Sequence, residues 1–344
     1  MAVTEGTVPF RGFHTWYQAV GPLPSAGEKV PLLVVHGGPG LPHDYLEDLA
    51  ALAGEDAGPG RLGSGGEDAG PGKGDEDAGA HPDGGPPGGG RTVVFYDQLG
   101  CGRSETAEDP ALWTMETFVA EIDAVRGALG LDRVHLLGHS WGTQVLLEYM
   151  LGKPSGVVSL VLAGPIADAP AYAAEARRLK DSLPPEVREV IDRCEAEGTT
   201  DDDAYLGAAM AFYQRWLCRL DPWPEHVVRS VLTLREEVNA ALWGPEWNVT
   251  GSLKDWDVSA RLGELDLPVL LTSGRHDVVV PDLVRPLADA IPGAAWVLFE
   301  DSAHLASVEE PERYRRVVEE FLTEAEAEAE AEAATDTVTD TGHR

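Results

Sequence analysis

The chain has 344 residues, 43% of them hydrophobic, enough apolar material for one large domain or two ordinary ones. With 59 acidic against 26 basic side chains, its formal net charge of −33 describes a surface that repels nucleic acid and anionic membranes and disfavours both as partners. The three cysteines, Cys101, Cys194 and Cys218, fit neither a disulfide framework nor a zinc site, and no metal or cofactor is expected.

The first residues, MAVTEGTVPFRGFHTWYQAVG, lack the basic start and apolar run of a signal peptide. No later stretch approaches 18 uninterrupted apolar residues, so a cytoplasmic location without a membrane span is expected. A short apolar run at 32–35 reads as a buried strand, and 45–52 has a helical pattern. Residues 54–91 then interrupt with 15 Gly, 5 Pro and a recurring EDAG at 55, 67 and 76. Such a segment lacks the apolar surface to offset its ordering entropy and reads as a disordered insertion. Strands at 92–96, 134–137 and 157–162 alternate with helices at 115–129 and 144–151. Strands at 269–272 and 296–299 alternate in the same way with helices at 282–291 and 311–322. The β-branched strands and intervening helices predict an α/β fold, a mostly parallel sheet with helices on both faces.

One block breaks the rhythm. From 167 to 262 only helical patterns occur, near 171–183, 185–196, 202–219 and 225–241, and the block reads as an inserted all-helical cap. The expected organisation is therefore a core of 1–166 and 263–322, a cap of 167–262, and an acidic tail of 323–344. The Glu-Ala alternation of the tail has no apolar stripe, so it should fray after a turn or two of helix.

The chemistry begins at LLGHSWGTQ, residues 136–144. Gly138 and Gly142 flank Ser140 where a strand gives way to a helix, a joint too tight for side chains at either glycine. That turn lifts a serine hydroxyl above the sheet at a helix N-terminus. A serine needs a base to become a nucleophile, and the base needs an orienting carboxylate. In this architecture the acid and then the histidine follow at later strand ends. SGRHDVVVP offers Asp277 after the 269–272 strand, and EDSAHLASVEEP offers His304 after the 296–299 strand. His276 adjoins Asp277 too closely to turn back onto it, and His139 adjoins the serine. His14, His43, His135 and His226 follow no late strand end. Amide donors for an oxyanion should come from Trp141 and from VVHGGPG at 34–40, with Gly38 preferred and Gly37 as the alternative.

HGGPG at 36–40, YDQLGCGRS at 96–104 and GHSWGT at 138–143 together resemble the proline iminopeptidases of the α/β-hydrolase superfamily. CRLDPWPE at 218–225 and GSLKDWDVSARL at 251–262 are similar to that family too. The resemblance implies a serine aminopeptidase that releases an N-terminal residue, preferably proline, from a small peptide or aminoacyl substrate. It also implies that Glu246, in GPEWNVTG, binds the substrate's α-ammonium group. The chain departs from the pattern at Val278, where family members often carry a second acid after the catalytic aspartate. An amino-acid amidase or a small-acyl esterase with the same three side chains is the alternative. A non-catalytic binder needs no such set.

Overall fold

The computed structural model describes residues 2–23, 29–54 and 90–341. Eight strands form one sheet: β1 Val3–Phe10, β2 Phe13–Val20, β3 Leu32–Val35, β4 Val93–Tyr96, β5 Val134–His139, β6 Val157–Ala163, β7 Val269–Gly274 and β8 Ala295–Phe299. Their spatial order is β1-β2-β4-β3-β5-β6-β7-β8. β2 runs antiparallel to β1 and β4, and the remaining pairs are parallel. The six apolar runs read from the sequence form β3 to β8. The β1–β2 hairpin was not anticipated. It turns at Arg11 and Gly12, both at positive φ (48° and 89°), the backbone that a tight two-residue hairpin requires.

α1 Met115–Leu129 and α2 Trp141–Leu151 pack on one face of the sheet through Phe118, Ile122, Val145 and Leu146. Between β6 and β7 the chain leaves the sheet and forms five helices. They are α3 Ala169–Asp181, α4 Pro185–Glu197, α5 Asp203–Trp216, α6 Glu225–Leu232 and α7 Glu236–Leu242. The single helix expected over 225–241 is divided in two. Thr233 Oγ1 donates to Arg229 O (2.8 Å), and beyond the break Arg235 N–H donates to Gly40 O (2.9 Å). That bond ties the start of α7 to the HGGPG loop. α8 Pro281–Ala290 follows β7, and α9 Ala306–Glu309 and α10 Pro311–Thr341 follow β8. The opposite face of the sheet is covered by 3₁₀ turns at His43–Ala53 and by Tyr314, Val318 and Leu322 of α10.

α10 corrects the expectation of a frayed tail, for it continues to Thr341. Local composition did not decide the matter, because two glutamates of this helix dock on the body. Arg91, with its side chain wholly buried, donates to Glu319 (2.9 Å) and Glu326 (3.0 Å). Val30 N–H and His135 also reach Glu326 (2.8 and 3.1 Å), and Ala325 is buried. Burial works to raise the Glu326 carboxyl, but its bond to His135 and the Arg91 charge outweigh burial and hold it at about 2. The disordered insertion expected at 54–91 falls, but for its ends, on residues 55–89, outside the described residues. Its flanks adjoin, since a Cβ on Gly90 would lie 2.9 Å from Gly54 N. No helix among the described residues is long and apolar enough to cross a membrane.

Candidate active site

The sheet order reverses between β3 and β5: the chain passes from β3 outward to β4, then returns to β5 on the other side. The crevice at the carboxyl ends of such strands is where α/β sheets place ligands. Ser140 sits there, between β5 and α2. Its backbone, φ 52° and ψ −120°, is one that side chains seldom adopt, and it is held by Ser140 N–H donating to Ala163 O of β6 (2.9 Å). A Cβ on Gly138 would fall 2.6 Å from Gly142 O, and one on Gly142 would fall 2.1 Å from Val35 O. The two glycines therefore let α2 come down directly on β5 and β3, which is what exposes the serine.

Asp277 follows β7 and His304 follows β8, both almost fully buried. His304 Nδ1 lies 2.7 Å from Asp277 Oδ1, which also accepts Val279 N–H (2.7 Å). With Nδ1–H donated to the carboxylate, Nε2 is left as the basic nitrogen. Burial disfavours a charged His304, but the Asp277 carboxylate, by charge and by hydrogen bond, outweighs burial, and Glu246 adds to it. The ring is held above the usual histidine value. Gly164, at the end of β6, makes room for the pair, since a Cβ there would meet His304 Cε1 at 2.7 Å. Among the described residues no hydrogen bond joins the Ser140 hydroxyl to His304, though both line one cavity. Such links often close only around substrate.

That cavity, of about 170 Å³, is walled by Leu41, Leu217, Val227, Val231, Leu234 and Leu305, with Gly38 at its edge. The helices inserted between β6 and β7 supply most of the wall. Glu246 enters it from the segment after α7 and accepts a hydrogen bond from the Tyr172 hydroxyl. Burial raises the Glu246 carboxyl to about 7, with His304 pulling it down and Asp277 pushing it up. Tyr213 also lines the cavity, and burial raises its hydroxyl to about 12. Val278 is buried, its N–H donated to Trp216 O (3.0 Å), so no second acid follows Asp277.

The two glycine candidates for oxyanion contact are separated by a bond that sequence reasoning missed. Gly37 N–H donates to the Tyr45 hydroxyl (2.6 Å), so it is already committed, whereas Gly38 faces the cavity. Trp141 is the first residue of α2, where a backbone N–H has no partner within the helix. Tyr45 O–H in turn donates to His139 Nδ1 (2.9 Å), and His139 Nε2–H donates to His304 O (2.9 Å). The two histidine rings stand 4.5 Å apart, and burial together with the His304 charge lowers His139 to about 3, so it stays neutral. Its place beside Ser140 was the only sequence signal for this role, and nothing in the sequence pointed to Tyr45.

His43, Asp44 and Asp97 also bring oxygen and nitrogen atoms within 4.8 Å of one another. Several of these atoms are already engaged within the protein. Asp97 Oδ1 takes the His43 N–H and ring, Asp97 Oδ2 takes Arg103 N–H, and Asp44 takes Arg229. Burial opposes the Asp97 charge, yet the His43 contact prevails and holds it at about 2. The YDQLGCGRS motif is thus a loop folded around a buried carboxylate.

Sheet order, inserted helices and a serine raised at the β5–α2 turn define an α/β hydrolase, and the α/β hydrolase fold family matches residues 30–311. A proline iminopeptidase of Heyndrickxia coagulans is 35% identical over 93% of this chain and 98% of its own length. The crystal structure of a proline iminopeptidase from Mycobacterium smegmatis has a TM-score of 0.77 and 35% identity, covering 95% of this chain and all of that one. The crystal structure of VinJ gives a TM-score of 0.80 at 32% identity, covering 94% and 99%. The chain belongs to the proline iminopeptidase family of α/β hydrolases.

Proposed function

We propose that this hydrolase is a serine aminopeptidase that releases an N-terminal residue, preferably proline, from short peptides. Ser140 Oγ attacks the first carbonyl carbon while His304 Nε2 takes the hydroxyl proton. The oxygen that becomes negative is met by the Trp141 and Gly38 amides. The C–N bond then breaks, His304 returns the proton to the departing amine, and Ser140 keeps the acyl group. Water, deprotonated by the same nitrogen, releases the free residue and restores the serine. Asp277 keeps His304 in the tautomer that this sequence needs. Tyr45 and His139 support both ends of the machinery, bracing the Gly37 loop and the His304 backbone.

The observation that carries the reading is Glu246. It is an acid in the cavity of Ser140 and His304, and its one hydrogen-bond partner among the described residues is a neutral hydroxyl. Burial raises it to about 7, which marks a carboxylate short of a cation. An α-amino group, cationic below about 8, supplies one. A cavity of about 170 Å³ with a largely aliphatic wall suits a compact apolar first residue such as proline. Val278 keeps a second reading open, an amino-acid amidase or small-acyl esterase, because the ammonium group has one acid here rather than two. A panel of aminoacyl arylamides assayed with the parent protein and with Ser140→Ala tests the proposal. Prolyl arylamide should lead the panel and the alanine variant should be inert. A panel led by acyl esters, with no aminoacyl arylamide cleaved, overturns it.

A further inference from the structure

Beside the catalytic cavity lies a second, open groove of about 520 Å³, and Leu234 lines both. Its walls carry Arg103, Arg229 and Arg235, three cations gathered in a chain that has more than twice as many acids as bases. Arg229 is spent on Asp44 and Glu47, at 2.7 Å each. The other two are not. Arg103 comes from the YDQLGCGRS loop, its backbone N–H fixed by Asp97, and its guanidinium lies over the Trp16 ring at 4.5 Å. Its one ionic neighbour is Asp44 at 3.6 Å, and its side chain makes no hydrogen bond among the described residues. Stacking thus fixes the plane of an Arg103 fork whose donors remain free. Arg235 uses Nε for Gly100 O (3.3 Å) and Nη2 for Thr106 (2.8 Å), which leaves three of its five N–H groups. The remaining acids, Glu236 and Glu237, are exposed on the rim.

We infer that this groove is a subsite for the C-terminal carboxylate of a short peptide substrate, read by Arg103 and Arg235. The inference rests on the aminopeptidase reading and adds to it what lies beyond the scissile bond. Gly38 borders the catalytic cavity and Pro42 borders the groove. Three residues lie between them, four chain steps in all, so the two edges stand at most about 14 Å apart. An extended peptide advances about 3.3–3.6 Å per residue. A tetrapeptide, about 13–14 Å long when extended, therefore spans that distance, and its carboxylate reaches the groove while the first residue occupies the catalytic cavity. A planar carboxylate matches a guanidinium fork in shape and charge. Arg235 is also well placed to couple the two sites, since its N–H holds Gly40 of the oxyanion loop.

The test compares Pro-Gly-Gly-Gly with Pro-Gly-Gly-Gly-amide, with prolyl arylamide as a substrate that carries no carboxylate. In the parent protein at low ionic strength the free acid should have the higher kcat/KM, by roughly tenfold, the scale of one charge-assisted contact. The preference should shrink as salt screens it. Arg103→Gln and Arg235→Gln should each bring the acid-to-amide ratio close to one, and Arg103→Lys should keep part of it. A ratio compares two substrates on one protein, so a partly misfolded variant still reports it. Equal kcat/KM for acid and amide in a parent that cleaves prolyl arylamide overturns the subsite alone. A preference for the amide overturns it too and assigns the groove to Glu236 and Glu237. Failure to cleave prolyl arylamide overturns the activity on which the inference stands.

Discussion

Replacing Glu246 by glutamine keeps the shape of the side chain and its contact with Tyr172 but deletes the charge. Among the described residues Glu246 is the one acid that lines the cavity, and the position after Asp277 is the buried Val278. Stranding one member of an enclosed charge pair costs about 2–5 kcal/mol. Glu246 is only partly buried and opens onto the cavity, so the lower part of that range applies, about 2–3 kcal/mol. That is a loss of roughly 30- to 150-fold in kcat/KM for a free-amine substrate. A neutral aryl ester has no ammonium group and should lose less than about threefold. The pH profile supplies a second reading. Burial, the largest influence, raises the carboxyl to about 7, so below that value it is protonated and loses its hold on the amine. kcat/KM for the amine should therefore fall below about 7 with contributions from Glu246 and His304, and Glu246→Gln should remove the first. Raising a carboxyl also means that its ionised form weakens the fold. The stability present below the unfolded value of 4.5 is lost as pH rises through 7, so Glu246→Gln should melt higher than the parent at pH 8. Equal losses on amine and ester, or no loss on either, would refute the assignment.

Ser140→Ala and His304→Ala should each remove nearly all turnover, on the order of 10⁴- to 10⁶-fold in kcat, and Asp277→Ala somewhat less, because the three act as a unit. An Asp277→Ala protein with unchanged kcat would show that another acid orients His304. Tyr45→Phe should lower kcat by roughly 10- to 100-fold with KM little changed, since it leaves Gly37 N–H and His139 Nδ1 without partners in a buried site. Unchanged kcat would show that the Tyr45–His139 bridge is idle. Glu326→Gln should destabilise the fold by about 1–3 kcal/mol at neutral pH, read as a lower Tm. The Glu326 carboxyl is depressed, so its contribution is complete above its unfolded value of 4.5 and is lost as pH falls toward 2. The two melting curves should therefore converge in acid, and a constant gap down to pH 2 would contradict the role given to Glu326.

The parallel strands were legible because each is a short apolar run, buried throughout in β3, β4, β5 and β7 and less so in the edge strand β8, a pattern that needs no partner to be recognised. The order Ser140, Asp277, His304 was legible for a related reason, since each residue follows a strand end and strand ends could be counted. The hairpin of β1 and β2 was not read, for its mixed polar and apolar residues lack the continuous apolar run that marked the others. The course of α10 escaped because an isolated Glu-Ala repeat says nothing of Arg91, more than 200 residues away, on which Glu326 docks. The division of α6 from α7 depends on Arg235 finding Gly40, again a contact across the fold. His139 was set aside as too close to Ser140 to act as its base. That geometry stands, but the ring serves instead as a strut between Tyr45 and the His304 backbone. Spacing shows which residues follow which element, and only the folded chain shows which neighbours share a proton.

The most direct test of the central claim is the ratio of initial rates on prolyl arylamide and N-acetyl-prolyl arylamide at equal concentration near pH 8. Acetylation removes the charge that Glu246 is proposed to hold and adds bulk in an enclosed cavity, while the scissile bond stays the same. The account predicts a preference for the free amine of at least about 30-fold, the lower bound worked out for the loss of that contact. Equal rates on the two substrates would contradict release from a free N-terminus and would favour the amidase or esterase reading.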